Sequence, residues 1–439
     1  MRYLRVALAG LLALSGHVLF AQHCGTVEYI KHLDEKYPGL MKHVDDMYLQ
    51  SIQETEQKSL YKLAPHDTLF TVDVVFHVVY LQNNQNIPDS LILDQLAVLN
   101  EAFNRLNADT VNTRDIFKPV AGNARIKFRF ANVDPDGNPT NGITRTQSNR
   151  STFNTNNNAT TTDYVKQSAE GGHDAWDTKK YLNIWICNLN LQNGQRALFG
   201  YAYPPVGATF WSSTYYKSDP FQGVVLHYET IGRNNPSFLS DQLYTNEKTA
   251  IHEVGHYFGL RHVWGDANWG QNGCLVDDYI FDTPNTYTRA SGCDKSLNTC
   301  STDNLPDQVE NYMDYSSAVC SNMFTQRQVD VMRYNMVNLR SELPSSEYVG
   351  PVRTVAEGNY LFPNPVADHW SVAFDDPINE EVTVELYDML GRMVYQAQVV
   401  ANNYTAELPV AGVSIGMYRA IVTSAEHGVI VDTNILKAQ

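Results

Sequence analysis

Positive charge is scarce in this 439-residue chain: 32 lysines and arginines stand against 48 aspartates and glutamates, for a formal net charge of −16. Nucleic acids and anionic lipids need a concentrated basic surface, so we expect neither as the main partner. Cysteine is also rare, with six residues. After the first 22 residues no apolar run reaches the roughly 18 residues of a membrane-spanning helix, so we expect no transmembrane segment.

The first residues have the pattern of a secretory signal peptide, which we assign to residues 1–21. Two arginines precede the apolar run 6–14, and the small residue Ala21 suits cleavage. Export would place the cysteines in an oxidising environment, where disulfides form. A lipid anchor on Cys24 is an alternative, although His23 before it is not the small residue that such sites carry.

Residues 22–67 form a polar, helix-compatible stretch directly after this segment. Its position after a signal peptide predicts a propeptide. On composition alone, a ragged N-terminal extension is the alternative. From about residue 68 the pattern changes, because residues 72–80 are a β-branched run long enough for a buried strand. Apolar residues from Leu91 to Phe103 then have the spacing of an amphipathic helix.

Further strands are predicted at residues 126–131, 182–187 and 223–228, which gives an α/β domain over residues 68–345. His77 and His227 lie in these strands and are expected to be core residues rather than metal ligands. Beyond residue 357, short alternating strands without a helical pattern predict a separate C-terminal β-sandwich, residues 357–439.

One constellation carries metal chemistry: His252-Glu253-x-x-His256-x-x-Gly259-x-x-His262. On a helix, His252 and His256 share one face, and Gly259 lets the chain turn so that His262 returns as a third nitrogen ligand. Three imidazoles leave one position of a zinc ion open for water, as in catalytic sites. Zinc lowers the pKa of that water toward about 7, and Glu253 would take its proton during attack on a carbonyl.

This extended motif is typical of metzincin metallopeptidases, which also carry a methionine-containing turn beneath the metal. The segment Asn311-Tyr312-Met313-Asp314-Tyr315 supplies such a turn about fifty residues after the third histidine. Met313 would place its thioether under the imidazoles. Tyr315 would donate its hydroxyl to the oxyanion that forms on the scissile carbonyl.

These motifs, followed by Cys320 and Met323-Phe324-Thr325, resemble the pappalysin branch (M43 type) of the metzincins over roughly residues 70–340. The resemblance implies a twisted, mostly parallel sheet with a backing helix and an active-site helix. It also implies a secreted zinc endopeptidase that acts on protein or peptide substrates.

The resemblance extends to an acidic loop, residues 274–284. It implies a calcium site with Asp278 and Thr283 as side-chain ligands and the carbonyls of Asp277 and Phe281 nearby. Such oxygen-rich loops suit a hard cation. A solvated acidic turn is the alternative.

Three cysteine assignments also follow from the resemblance. It implies the disulfides Cys274–Cys300 and Cys293–Cys320, although sequence alone does not select a connectivity. Cys187 would remain a free buried thiol. Cys24 is similar to the propeptide cysteine of latent relatives, whose thiolate fills the open zinc position, although those relatives often carry arginine where this chain has His23; intermolecular pairing is the alternative.

Substrate preference is where the chain departs from the family pattern. In relatives that prefer a basic residue after the scissile bond, an acidic residue precedes the methionine-turn cysteine, and here Val319 takes that place. A pocket without that carboxylate should not hold Arg or Lys, so we expect an apolar or broad preference.

The C-terminal region carries a second resemblance. Pro363-Asn364-Pro365, the Leu390-Gly391-Arg392 segment and Gly416-Met417-Tyr418 resemble the C-terminal sorting domain of the type IX secretion system. The implied partner is that secretion machinery, and the implied location is outside a Bacteroidetes-type bacterium, either free or attached to the outer cell surface. A plain binding module is the alternative.

Two other classes compete with the peptidase hypothesis. The chain could be a cell-surface adhesin in which the metal site is structural, or a metal hydrolase with a non-peptide substrate. Glu253 argues against the adhesin, because a structural site has no use for a general base.

Overall fold

The computed structural model describes residues 22–56, 68–154, 163–194, 196, 198–205, 221–233, 235–237, 247–266, 272–290, 292–301, 305–348, 360–362, 369–378, 380–388, 391–401, 403–409, 412–414, 416–425 and 428–437. The predicted signal peptide and the Pro363-Asn364-Pro365 motif lie outside these residues. The chain forms two compact units, Met1–Tyr348 and Val349–Gln439. None of the described helices is long and apolar enough to cross a membrane.

The first unit combines one mixed sheet with helices. Its helices are α1 (Thr26–Lys36), α2 (Leu40–Glu56), α3 (Asp89–Phe103), α4 (Lys248–Tyr257), α5 (Gly273–Val276) and α6 (Gln326–Asn338). Its strands are β1 (Gln22–Cys24), β2 (Thr68–Tyr80), β3 (Ile126–Phe130), β4 (Ile143–Gln147), β5 (Tyr181–Cys187), β6 (Leu198–Ala202), β7 (Val224–His227) and β8 (Pro344–Tyr348).

The sheet has the order β1-β6-β7-β5-β2-β3, with β4 and β8 also paired to β2. All its pairings are parallel except β6 with β7 and β2 with β8. This confirms the predicted mostly parallel sheet of a metzincin-type α/β domain. Without β1, strand β6 would be an edge of the sheet beside α4.

Side chains alternate across β5 and separate two cores. Leu182, Ile184 and Ile186 point to the face where α3, α4 and α6 pack. Trp185 and Cys187 point to the opposite face. The alternation therefore places a helical layer on one face, and on the other a second core that includes residues of α1.

The segment 22–56 is better anchored than its polar sequence indicates. Tyr29, Leu33 and Leu40 are buried in the second core, and Tyr48 and Ile52 are buried in the first. These few apolar residues fall on the inner faces of α1 and α2, so each contributes to packing. The burial disfavours a ragged extension.

The second unit is entirely β within its described residues. Its strands are β9 (Tyr360–Phe362), β10 (His369–Ile378), β11 (Glu381–Tyr387), β12 (Met393–Val400), β13 (Asn403–Pro409), β14 (Gly416–Ser424) and β15 (Gly428–Lys437). They form two antiparallel sheets, β13-β10-β9 and β12-β11-β14-β15. One apolar core that includes Trp370, Val384 and Ile435 joins both sheets, which confirms the predicted sandwich.

Candidate metal centre and active site

Helix α4 carries two predicted metal ligands and the predicted general base. His252 and His256 lie four residues apart and share one face of the helix. Beyond its end, Gly259 takes φ +95°. A side chain here would meet the Asn335 amide nitrogen at 2.3 Å, so the turn requires glycine. The chain then returns and brings His262 against the other two histidines.

The three histidine Nε2 atoms form a nearly equilateral triangle. The distance is 3.1 Å between His252 and His256, and 3.2 Å from His262 to either of them. Nitrogen ligands of a tetrahedral zinc ion, each at about 2.0–2.1 Å from the metal, lie about 3.3 Å apart. The triangle therefore has the dimensions of three ligands on a single zinc ion.

The opposite nitrogen of each ring is held by an oxygen acceptor. The Nδ1 atoms contact the Tyr312 carbonyl for His252, the Leu260 carbonyl for His256 and the Asp266 carboxylate for His262. Each ring thus carries its proton on Nδ1 and presents a lone pair from Nε2. Three converging lone pairs repel one another unless a cation lies between them, so the donor set fits a metal ion.

Electrostatics keep this set in its ligating form. Burial and the neighbouring His262 lower the pKa of His256 to about 3, so its ring stays neutral near pH 7. Burial alone would raise the pKa of Asp266, but His262, Arg261 and His256 together outweigh that effect and lower it to about 2. Asp266 is therefore ionised and fixes the tautomer of the third ligand.

Glu253 lies fully buried beside the histidines. Its Oε2 accepts hydrogen bonds from the Thr26 hydroxyl at 3.1 Å and the Cys24 thiol at 3.5 Å. Its Oε1 has no hydrogen-bond partner among the described residues. Burial raises the pKa of this carboxyl to about 8, and the hydrogen bonds from Cys24 and Thr26 act against that rise. Strongly shifted carboxyl groups of this kind cluster at functional sites.

The predicted methionine turn lies under α4. Met313 is fully buried, and its amide donates to the Asn311 side chain at 2.9 Å. A side chain on Gly255 would meet the Met313 sulfur at 2.5 Å. The glycine between the two helical histidines thus lets the helix lie directly on the turn.

Aromatic rings border the histidine cluster. The Tyr315 ring centroid lies 5.6 Å from His252 and 5.0 Å from His262, and its hydroxyl donates to the Cys24 carbonyl at 3.2 Å. Trp264 stacks on His262 at 4.3 Å with an interplanar angle of 8°. The ring contacts hold His262 in position. The hydrogen bond places the Tyr315 hydroxyl against Cys24, beside the histidine cluster.

Strand β1 brings the N-terminal segment into this site. It pairs in parallel with β6, with Cys24 opposite Gly200. The Cys24 sulfur and the three histidine ligand atoms lie within 4.8 Å of one another. Burial and the charge of Glu253 raise the pKa of the Cys24 thiol, an effect that a zinc ion would counter because it deprotonates a coordinating thiol.

The acidic loop lies apart from the histidines. Asp278 is fully buried, and its Oδ1 accepts from the Thr283 hydroxyl at 2.7 Å while its Oδ2 lacks a hydrogen-bond partner among the described residues. Asp277 takes a positive φ of 49°. The Phe281 side chain is exposed and lies under the Arg327 guanidinium.

The structure also places the predicted cysteines and Val319. The structure contains both implied disulfides, Cys274–Cys300 and Cys293–Cys320, and leaves Cys187 as a buried thiol. Val319 precedes the second bridge and is 61% exposed, so its side chain is open to solvent.

Sequence reasoning missed three residues of the site. The Thr26 hydroxyl donates to Glu253, and the Asp266 carboxylate contacts His262. Gly255 leaves room for the Met313 sulfur. The four-residue step from His262 to Asp266 was a usable signal, because zinc-binding histidines usually donate to an oxygen acceptor. No local signal marks Thr26, whose partner lies 227 residues away. His77 and His227 are buried, hydrogen-bonded core residues, as predicted.

Residues 165–337 match the model of the M43 peptidase family described as pregnancy-associated plasma protein-A, and residues 360–437 match the secretion system C-terminal sorting domain. The chain belongs to this M43 family of metallopeptidases and carries that sorting domain, as both resemblances predicted.

Two solved structures from Tannerella forsythia are similar to the chain. A promirolysin mutant is 36% identical with a TM-score of 0.61, and the match covers 73% of this chain and 97% of that one. Mature mirolysin in complex with a cleaved peptide is 40% identical with a TM-score of 0.54, and the match covers 63% of this chain and 95% of that one. An extracellular metalloprotease of Colletotrichum graminicola is 38% identical over 129 residues, which is 29% of this chain and 42% of that protein. The chain thus spans nearly all of both mirolysin structures but less than half of this fungal relative.

Proposed function

We propose that the protein is a secreted zinc endopeptidase that is made as a latent zymogen and uses Glu253 as its general base. The observation that carries the proposal is the triangle of three unprotonated histidine nitrogens beside a buried carboxylate. The cleaved peptide in the similar mirolysin structure supports peptides as the substrate class. An adhesin with a structural metal would not need this carboxylate.

His252, His256 and His262 would hold the zinc ion. When bound, the ion supplies Lewis acidity and lowers the pKa of a water molecule toward about 7. Glu253 takes a proton from the attacking water and delivers it to the amide nitrogen as the C–N bond breaks. Tyr315 donates its hydroxyl to the oxyanion of the tetrahedral intermediate.

Peptidase activity is tested on processed protein with casein as the substrate. We expect cleavage to stop when a chelator removes the metal and to return on addition of one equivalent of zinc. Cleavage that persists in metal-free protein would contradict the proposal.

Latency would come from N-terminal residues that contact the zinc position and the catalytic side chains of Glu253 and Tyr315. The Cys24 thiolate would take the remaining position on zinc, and the Thr26 hydroxyl holds Glu253 while accepting from the Ala202 amide at 2.9 Å. The Tyr315 hydroxyl is engaged by the Cys24 carbonyl. The similarity to promirolysin supports a latent form with residues 22–67 as its propeptide.

Latency is tested on the full chain. Cys24→Ala and Thr26→Val should each raise casein cleavage before processing by at least about tenfold, since a lost contact of about 1.4 kcal/mol changes an equilibrium by that factor. Glu35→Gln alters an exposed residue of α1 and should have no effect. A wild-type full chain as active as processed protein would contradict latency.

We propose a calcium ion at the acidic loop as a structural cofactor. Burial raises the pKa of Asp278 well above its usual range, and a cation would satisfy its unpartnered Oδ2. Thr283 and the carbonyls of Asp277 and Phe281 would complete the set. Calcium should raise the melting temperature of the wild type but not of Asp278→Asn, with Asp136→Asn as an exposed control. Equal shifts in all three would contradict the site.

The substrate residue after the scissile bond should be apolar or variable, because Val319 supplies no carboxylate to a specificity pocket. A peptide library should show no strong Arg or Lys signal with wild-type enzyme, whereas Val319→Asp should introduce one. A strong basic preference of the wild type would overturn this assignment.

We propose that the second unit addresses the chain to the type IX secretion machinery of a Bacteroidetes-type bacterium. The match to the sorting domain supports this route and indicates secretion or surface attachment. The sandwich is a compact unit with its own core, so it does not need to contribute to catalysis.

A further inference from the structure

Away from the metal centre, a lysine is buried in a cage of aromatic rings. Lys166 is 1% exposed, although lysine is among the residues least often buried, because its ammonium group loses hydration. Its Nζ lies 5.0–5.8 Å from the ring centroids of Tyr29, Trp185, Tyr201 and Tyr203. The faces of aromatic rings attract a cation at such distances.

Two oxygen acceptors complete the surroundings of this ammonium group. Lys166 Nζ donates to the Phe221 carbonyl at 2.7 Å and lies 3.8 Å from a carboxylate oxygen of Asp163. Asp163 is itself 5% exposed. The cage therefore contains a buried ion pair with rings around it.

One ring of the cage belongs to the N-terminal segment. Tyr29 of α1 donates its hydroxyl to Asp163, and its ring centroid lies 4.9 Å from Tyr201 and 6.0 Å from Tyr203. Lys166 Nζ lies 3.4 Å from the same hydroxyl. The hydroxyl of this phenol group thus contacts both a carboxylate and an ammonium group.

The charges explain why this site holds a tyrosine. An apolar pocket would hold phenylalanine equally well and would avoid the desolvation of an ion pair. A site built to hydrogen-bond a hydroxyl instead rejects the analogue that lacks it, because its buried polar groups are then left unpaired. The Asp163–Lys166 pair therefore selects a phenol over a plain aromatic ring.

We propose that Asp163, Lys166, Trp185, Tyr201 and Tyr203 form a subsite for a tyrosine side chain. Tyr29 fills it in the latent chain, and a tyrosine of a polypeptide substrate fills it once residues 22–67 are removed. The second step rests on the proposed function. Tyr29 follows Cys24 by only five residues, so one extended polypeptide reaches both the metal centre and this subsite.

The first test uses the full chain and needs no peptidase activity. Tyr29→Ala vacates the cage, and calorimetry should then show p-cresol binding at least about tenfold more tightly than toluene, since only p-cresol carries the hydroxyl. Lys166→Met in the same background should remove this preference. Leu33→Ala opens a cavity in the same apolar cluster and should show no preference. Equal binding of both probes to Tyr29→Ala, or binding of neither, would overturn the subsite.

A second variant covers the case in which Tyr29→Ala does not fold. Tyr29→Phe keeps the ring and removes the hydroxyl contacts with Asp163 and Lys166. Limited trypsin digestion should cleave after Lys31 at least about tenfold faster than in wild type, because cleavage follows the opening of α1. An unchanged rate would count against the hydroxyl contact.

The substrate step is tested on processed enzyme with peptide pairs that differ only by Tyr or Phe, scanned through the positions flanking the cut. One position should favour Tyr by at least about tenfold in kcat/KM, and Lys166→Met should abolish the difference. If no position discriminates while p-cresol still binds the Tyr29→Ala full chain, the cage serves Tyr29 alone and the substrate assignment is overturned. A processed enzyme that cleaves no peptide would contradict the proposed function. The p-cresol measurement would still show whether the cage binds a phenol.

Discussion

At the scale of single residues, the metal centre depends on partners outside its own motif. Asp266 fixes the His262 tautomer, and Gly255 leaves room for the Met313 sulfur under the helix. The motif supplies the ligands, but these partners determine which nitrogen each ring presents and how closely the helix approaches the turn.

A buried histidine makes the stability of the first unit sensitive to acid. Burial and the stacked His173 ring lower the pKa of His77 to about 3, against about 6.5 in an unfolded chain. Between these pH values the unfolded chain binds more protons, so the free energy of unfolding falls as pH falls from about 6.5 toward 3.

The change that isolates this effect is His77→Gln. Urea unfolding of the full chain between pH 6 and pH 4 should show the wild type losing up to about 1.4 kcal/mol per pH unit more than the variant. Identical slopes for wild type and His77→Gln would contradict the account.

At the scale of elements, long apolar strands could be predicted and short polar ones could not. β5, β7 and the second half of β2 are buried on both faces, and their apolar runs appear in the sequence. β4 consists largely of polar residues and β8 begins with proline, so neither shows a strand pattern.

Strand β6 is the most consequential of the missed elements. It contains Gly200, which weakens a strand signal but is needed here, because a side chain would meet the Glu253 side chain at 2.8 Å. The histidine cluster is a local motif and was predictable. The contacts of β1 and α1 with Glu253 and with β6 join positions more than 170 residues apart, and no sequence periodicity encodes them.

The Cys293–Cys320 bridge should stabilise residues 293–320, which contain the methionine turn. It closes a separation of 27 residues, for which chain entropy gives about 3.5 kcal/mol of stabilisation. In the Cys293→Ser/Cys320→Ser double variant, the free energy of unfolding measured in urea should fall by about that amount. The variant should also lose peptidase activity at a lower temperature than the wild type. Cys187→Ala removes a free buried thiol and serves as the control. A double variant as stable as Cys187→Ala would contradict this role.

At the scale of the whole molecule, the proposed catalytic and export functions belong to different units. The metal centre lies within Met1–Tyr348, and the sorting-domain match lies within Val349–Gln439. A chain that ends at residue 348 should therefore retain full casein cleavage after processing but should not leave a host with type IX secretion. Loss of cleavage in the truncated protein, with its fold intact by circular dichroism, would show that the units are functionally coupled.

The central claim is that a metal held by three histidines acts together with the Glu253 carboxylate. The direct measurement compares casein cleavage and zinc content of processed wild type and Glu253→Gln. We predict equal zinc content, with cleavage lower in the variant by about 10²–10⁴-fold. A Glu253→Gln protein that binds zinc and cleaves casein as fast as wild type would contradict the account.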